Sequence, residues 1–583
     1  GGTGKPVDPS TLDRAALGTR LSIAYGAPRA EQLCTEILAL VARHAGHITP
    51  PARTWVDQRD AMLISYGDSI RDHQRAPLAV LRGFLQHHLG ELLSAVHLLP
   101  FYPYSSDDGF SVIDYRAVDP ALGDWSDVTA LAGDVELMFD AVINHISRQS
   151  DWFRRYREGD PDYAGFFIEA DPALDYRSVT RPRALPLLTP VDTSQGLRHL
   201  WTTFSDDQID LNYANPRVLL AVLAVLLFYV ARGARFLRLD AIGFLWKESG
   251  TTCMHLPQTH ALIQVMRQVL EAVAPGVILI TETNVPHRDN IGYLGQGDEA
   301  HMVYQFPLPP LTLHALHSGS ARYLTDWAAS LAPTPPGTTF FNFLASHDGI
   351  GVRPVEGLLS EAEVTALAGQ VQENGGLISY RDRGDGTRSP YELNINYLDA
   401  VTHPDDDDAR RTARFMAAQA ILLSMQGMPG IYIHSLLGSR NDLTGVQHSG
   451  HNRAINREKL DLAALEAALA DPGSLRARVF GAFYRLLGLR RKQPAFHPNA
   501  PQQVLFLDHR VFALRRGEGE KSLLALINVS DESVGLSLDA TQTGVATAGL
   551  RDLLGGDTLA VQSGTIQLML EPYQVRWLVG TGD

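Results

Sequence analysis

Cysteine is nearly absent from this chain: only Cys34 and Cys253 occur in 583 residues, with no CxxC pair and no metal-ligand spacing. That excludes a disulfide framework as the organising device and fits a reducing compartment. Basic charge is also short. Lys and Arg number 50 against 65 Asp and Glu, a formal net charge of −15, which argues against nucleic acid or an anionic membrane as partner. An anionic substrate must then be caught by a few placed arginines rather than by the overall field. Long apolar runs are missing too. The longest, Val218 to Ala231, falls short of the roughly 20 residues of a membrane span and stops at Arg232, so it reads as a buried helix. No basic segment followed by an apolar run stands near the N-terminus, and a soluble, cytoplasmic protein is expected. Short-period repeats and phosphate-cradling glycine loops are lacking, and neither a metal nor an organic cofactor is implied.

What is present is the composition of an ordinary globular protein, 45% hydrophobic and 20% charged, long enough for two or more domains. Residues 1–60 read as a helical extension, with amphipathic spacing from Glu31 to Val41 and a break at Pro50-Pro51. Eight short apolar runs follow, most of them ending on a polar or charged residue, separated by helical patterns. They are Met62–Tyr66, Ala95–Leu99, Glu136–Asp140, Arg235–Asp240, Val277–Glu282, His301–Tyr304, Thr339–Phe343 and Gly430–His434. Near-continuous apolar strands alternating with helices suit a parallel (β/α)8 barrel, buried on both faces of its sheet. Uneven spacing divides the barrel into residues 61–145, 207–350 and 410–495. It implies two insertions, at 146–206 after the third strand and at 351–409 after the seventh. The acidic run Asp405 to Asp408 suits a solvated helix start, where the macrodipole favours negative charge. Residues 496–583 turn to short alternating strands with glycine turns, which predicts a C-terminal antiparallel β domain.

The chemistry gathers at the strand ends, where barrels build their active sites. Four segments stand there: Asp140-Ala-Val-Ile-Asn144-His145, Arg238-Leu-Asp240, Thr281-Glu282 and Ser346-His347-Asp348. Convergence of Asp240, Glu282 and Asp348 on one barrel mouth would supply what glycoside chemistry requires. One carboxylate attacks the anomeric carbon, a second carboxyl protonates the leaving oxygen, and nearby negative charge stabilises an ion-like transition state. Arg238, two residues before Asp240 on one strand, points to the same face and favours the ionised nucleophile. His145 and His347, each beside a polar neighbour, suit sugar hydroxyls.

These four segments resemble the motif regions of the α-amylase superfamily (glycoside hydrolase family 13), over about residues 60 to 460. The resemblance implies Asp240 as nucleophile, Glu282 as general acid/base and Asp348 as transition-state stabiliser, with Arg238, His145 and His347 supporting the substrate. True α-amylases typically place a Lys-His pair after the nucleophile strand, whereas this chain reads Asp240-Ala241-Ile242-Gly243-Phe244. Two further segments, Pro100 to Phe110 and His451 to Arg457, resemble the sucrose phosphorylase branch. There the matching Asp108 and Arg453 close a pocket for one glucose. Thr180-Arg-Pro-Arg183-Ala-Leu-Pro186 resembles that branch's phosphate loop, with Arg183 as the phosphate ligand, a task that arginine's fork suits.

The resemblance therefore implies a retaining α-glucosyl phosphorylase that passes glucose between a small α-glucoside and inorganic phosphate by double displacement. The loop Ser379 to Asn394, the long N-terminal extension and Trp201 to Asn212 look most like glucosylglycerate phosphorylases, with glucosylglycerol phosphorylases as near relatives. Arg388 is expected to meet a glycerate carboxylate, and Tyr391 and Glu392 to complete the acceptor site. The loop carries three arginines and three acids from Arg381 to Glu392, so charge alone leaves glycerate, glycerol and fructose open, with glycerate preferred. Sucrose phosphorylase and α-glucoside hydrolase are the other activities of this scaffold that fit the same residues. Oligomeric state is not legible.

Overall fold

The computed structural model describes residues 12–544 and 548–581. The first eleven residues of the expected helical extension lie outside that range. The remainder forms two helices, Arg14–Tyr25 and Ala27–Ala45, separated by Gly26, whose φ of 79° lets the chain turn sharply between them. Leu33, Ile37, Leu40 and Val41 form the buried face of the second helix. The pair is tied to barrel elements by Arg20 to Gln268 (2.7 Å) and by the Tyr25 hydroxyl to the Tyr213 carbonyl (2.7 Å).

Eight parallel strands close into a barrel: β1 (Met62–Ser65), β2 (Ala95–Leu98), β3 (Glu136–Ala141), β4 (Ala234–Leu239), β5 (Ile278–Thr281), β6 (Met302–Tyr304), β7 (Thr339–Asn342) and β8 (Met428–Tyr432). Each strand pairs with its sequence neighbours, and β8 closes on β1. Every residue of the eight strands is buried except the half-buried Glu136, as a parallel sheet covered by helices requires. Packing inside is tight enough to demand glycine at position 430. A Cβ there would stand 2.4 Å from the Phe341 ring on the neighbouring strand β7. The apolar run at 218–231 is the barrel helix Pro216–Ala231, started by Asn215 capping the Arg217 amide.

Two excursions decorate the mouth. The first leaves β3 through His145–Ser147, which pairs antiparallel with Gln208–Asp210 and so sets His145 opposite Asp210. Between these lie helix Asp151–Arg157 and the hairpin Leu188–Thr193 with Gly196–Trp201. The second follows β7. Ile350–Gly351, Arg388–Asn394 and Leu377–Asp382 make a three-stranded antiparallel sheet, with a bulge between Ser379 and Tyr380. The acidic run ends as helix Asp408–Ser424 begins, with the Asp407 carboxylate capping the Arg410 amide.

The C-terminal region is antiparallel β, a six-stranded sheet and a two-stranded one enclosing a separate apolar core of residues such as Val511, Leu526, Leu550 and Leu578. It docks on the barrel through Trp577, whose indole N–H donates to Ser424 Oγ (3.0 Å). Arg516 binds the Ser424 and His497 carbonyls, both at 2.8 Å. No helix among the described residues is long and apolar enough to cross a membrane.

Candidate active site

The strand ends open into a cavity of about 1270 Å³ between the two excursions. At its floor a single guanidinium organises the carboxylates. In-register pairing of β3 with β4 sets Asp140 beside Arg238, and β4 carries Asp240 one pleat further toward the mouth. Arg238 reaches Asp140 Oδ1 at 2.7 Å and Asp240 Oδ1 at 2.9 Å, and donates to the Tyr304 hydroxyl at 3.0 Å. Glu282 Oε2 lies 3.9 Å from the same guanidinium. That oxygen also accepts the Ala241 N–H at 2.9 Å, so the residue after Asp240 fixes Glu282. Ala241 sits in the left-handed region, φ 48° and ψ 36°, which turns its N–H toward Glu282.

The electrostatics follow from this crowding. Burial works upward on Asp140, but His97 (2.7 Å) and Arg238 outweigh it and hold the carboxyl below its usual range. Burial raises Asp240 well above the carboxylate range. Arg238 pulls against this, while Glu282, Asp140 and Asp348 add to the rise. In a buried set of like charges around one cation, such an upward shift belongs to the set rather than to one residue. Burial works upward on Asp348 too, yet His347, Arg453, Arg457 and Arg238 hold it well below the usual carboxylate range. Burial pushes His347 down to about 3, so it is neutral at pH 7. Its ring stacks on Phe110, 5.2 Å between centroids, and Nε2 lies 3.3 Å from Asp348.

The wall above Asp348 is a ladder of ion pairs. Arg453 contacts Asp348 Oδ1 at 2.9 Å and clamps Glu392 through both carboxylate oxygens, at 2.9 and 2.8 Å. Gly349 is required beneath this clamp, since a Cβ would meet Glu392 Cγ at 2.5 Å. Asp108, on a turn with φ 47°, takes its ion pair from Arg457, four residues beyond the Arg453 that the resemblance singled out. Arg183 pairs with Asp107, next to Asp108, at 3.0 Å and lies over the Phe204 ring. His145, pushed down by burial, binds the Phe110 carbonyl at 2.8 Å and faces Phe204. Beneath it Lys247 ties Asn144 (2.7 Å) to Asp210 (2.9 Å), which joins the end of β3 to the root of the first excursion.

Asp240, Glu282, Asp348, Asp108, His145, Arg238, His347, Arg453, Arg183, Tyr391 and Glu392 all line this cavity. Arg388 does not. It stands exposed at the start of its strand, with its guanidinium 4.8 Å from the Tyr380 ring centre. Its place is fixed by pairing with Asp382 at the outer end of the hairpin, whereas Tyr391 and Glu392 lie three and four residues deeper. Sequence reasoning singled out the Asp140 segment but gave Asp140 itself no role, and passed over His97, although a lone histidine inside an apolar strand is a usable signal. It also passed over Tyr304 and Arg457.

Residues 85–349 match the α-amylase catalytic domain. The chain is 50% identical to the glucosylglycerate phosphorylase of Allomeiothermus silvanus, over 90% of this chain and 91% of that protein. It is 32% identical to the sucrose phosphorylase of Agrobacterium vitis, over 72% and 85% respectively. The fold is also that of sucrose 6F-phosphate phosphorylase from Thermoanaerobacter thermosaccharolyticum, with TM-score 0.72, 23% identity and coverage of 89% of this chain and 99% of that one. The chain belongs to the α-amylase superfamily, glycoside hydrolase family 13. Within that superfamily its likeness is to enzymes that use phosphate to move a glucosyl group.

Proposed function

We propose that this enzyme interconverts 2-O-α-glucosylglycerate and inorganic phosphate with α-glucose 1-phosphate and glycerate. Asp240 attacks the anomeric carbon while Glu282 gives its proton to the departing glycerate oxygen. Phosphate then attacks the glucosyl–Asp240 ester, breaking its bond to the sugar, and Glu282 takes a proton back. Two inversions give net retention. In this reading Arg238 steadies the charge on Asp240, Asp348 and Asp108 hold glucose hydroxyls, and His145 and His347 act as neutral hydrogen-bonding partners. Arg183 receives the phosphate, exchanging its contact with Asp107 for two phosphate oxygens.

The observation that carries the reading is the carboxylate set around Arg238 at the base of one cavity, in a chain half identical to a glucosylglycerate phosphorylase over nine-tenths of its length. The Arg453 clamp supports the choice of acceptor. It neutralises Glu392, so that carboxylate does not repel an anion. A cytoplasmic setting belongs to the same reading, supported by two buried, unpaired cysteines. The test is phosphate release from α-glucose 1-phosphate with glycerate, glycerol, fructose or no acceptor. Release should depend on glycerate. Dependence on glycerol or fructose would reassign the glucoside, and equal release without acceptor would make water the partner.

A further inference from the structure

Seven arginines line the cavity: Arg181, Arg183, Arg238, Arg353, Arg381, Arg453 and Arg457. Six are engaged. Arg181 donates to the Leu185 carbonyl, Arg183 pairs with Asp107, and Arg381 pairs with Glu356 at 3.4 Å. Arg238, Arg453 and Arg457 hold the carboxylates already described. The Arg353 side chain, half-buried, has neither a hydrogen bond nor an ion pair among the described residues. Partial burial costs a guanidinium part of its hydration, and that loss goes uncompensated until an anion arrives.

Its location says which anion. Arg353 follows the short strand Ile350–Gly351, which pairs with the Glu392–Leu393 stretch of the hairpin, and the Val352 N–H donates to the Tyr391 carbonyl at 3.2 Å. The strand also packs on Asn284. A Cβ on Gly351 would lie 2.7 Å from Asn284 Nδ2. Asn284 stands two residues beyond Glu282, and its Oδ1 is buried without a partner. A group beside Asn284 and beyond Glu282 meets the part of the substrate whose oxygen Glu282 protonates. That part is the acceptor, not the glucose.

Resting on the glycerate reading above, we infer that Arg353 is the specificity residue of the acceptor site. It receives the acceptor carboxylate, while Asn284 Oδ1 accepts a hydroxyl of the same molecule. This assigns to Arg353 the task that the hairpin sequence suggested for Arg388. Arg183, paired with Asp107, remains for phosphate. A planar, two-pronged carboxylate matches the guanidinium fork, and such a bond is worth about 1.5–3 kcal/mol, or about 10- to 150-fold.

The experiment compares the wild-type enzyme with Arg353→Gln and Arg353→Lys. Three quantities are read: kcat/KM for glycerate, kcat/KM for glycerol, both with α-glucose 1-phosphate as donor, and KM for phosphate in the reverse direction. Arg353→Gln should lower the glycerate-to-glycerol ratio about 10- to 150-fold, mainly through the KM for glycerate, and Arg353→Lys should recover part of it. Because the ratio is taken within one preparation, partial misfolding cancels. An unchanged ratio in a wild-type enzyme that prefers glycerate would overturn the inference alone. A rise confined to the phosphate KM would also overturn it, making Arg353 a phosphate ligand. If the wild-type enzyme itself ignores glycerate, both this inference and the proposed substrate fall.

Discussion

The arginines at the barrel mouth and those at the seam with the C-terminal region differ in their partners. At the barrel mouth, Arg238 and Arg453 are surrounded by carboxylates and neighbouring polar groups. Burial works against their charge, but these partners outweigh it and raise both well above arginine's usual range. At the seam between barrel and C-terminal region, Arg490 and Arg516 donate to backbone carbonyls of Leu423, Gln58, Ser424 and His497. There burial dominates and brings Arg490 down to about 10 and Arg516 to about 9, still charged at pH 7. The difference teaches what each set is for. Carboxylates around a mouth arginine can turn toward a substrate and change protonation during a reaction. Carbonyls belong to fixed backbone and can only hold two surfaces together.

The strongest way to break this comparison is Arg238→Gln. Loss of one preorganised cation from the reacting centre should lower kcat/KM by about 10²–10³-fold. It should also leave Asp240 buried without its countercharge, while Asp140 keeps His97. Asp240 must be ionised to attack, and removing an opposite charge raises its pKa further. The acid limb of the pH–rate profile should therefore move upward, by about 1–3 pH units. A loss of rate with an unmoved limb would mean that Arg238 only shapes the site. Arg516→Met should do the reverse. The Ser424 carbonyl loses its guanidinium donor, while that of His497 keeps the Ala500 N–H, at a cost of about 1–3 kcal/mol of stability in urea unfolding with kcat/KM of the folded enzyme changing less than twofold. Arg183→Ala comes next. It should raise the KM for phosphate about 10- to 150-fold and slow hydrolysis of α-glucose 1-phosphate much less, measured with and without added phosphate. Equal losses would remove Arg183 from phosphate recognition.

The same contrast explains what was legible in the sequence. All eight barrel strands were, because a strand buried on both faces leaves an unbroken apolar run, and the structural ends fall within one or two residues of those expected. The positions of Asp240 and Glu282 at the mouth were legible because each closes such a run, and that of Asp348 because it follows the seventh run within five residues. The side chains of the acceptor wall were not. Whether Arg381 or Arg388 reaches the cavity depends on hairpin register and on a bulge between Ser379 and Tyr380, neither of which is encoded in residue spacing. Arg453 and Arg457 lie one turn apart, and only the path of the 3-10 turn Asn452–Asn456 decides that Arg457 reaches Asp108. Arg353 carried no signal at all. Its interest lies in a partner it lacks, and that appears only once every other arginine around it has been paired.

The smallest expected effect tests the strain held in one turn of the mouth. Ala241 adopts φ 48°, a conformation that costs an L-residue with a Cβ about 1–2 kcal/mol. Glycine carries no such penalty but loses about 0.5–1 kcal/mol more chain entropy on folding. Ala241→Gly should therefore raise unfolding stability by a few tenths to about 1 kcal/mol. The strained turn directs the Ala241 N–H at Glu282 Oε2, 2.9 Å away. A freer turn holds that hydrogen bond, and with it the acid/base, less firmly. Turnover should accordingly fall, by about two- to fivefold, as stability rises. A variant that is both more stable and equally fast would show that the left-handed turn is incidental to the placement of Glu282. A variant that is less stable would show that the turn is held without strain by its surroundings.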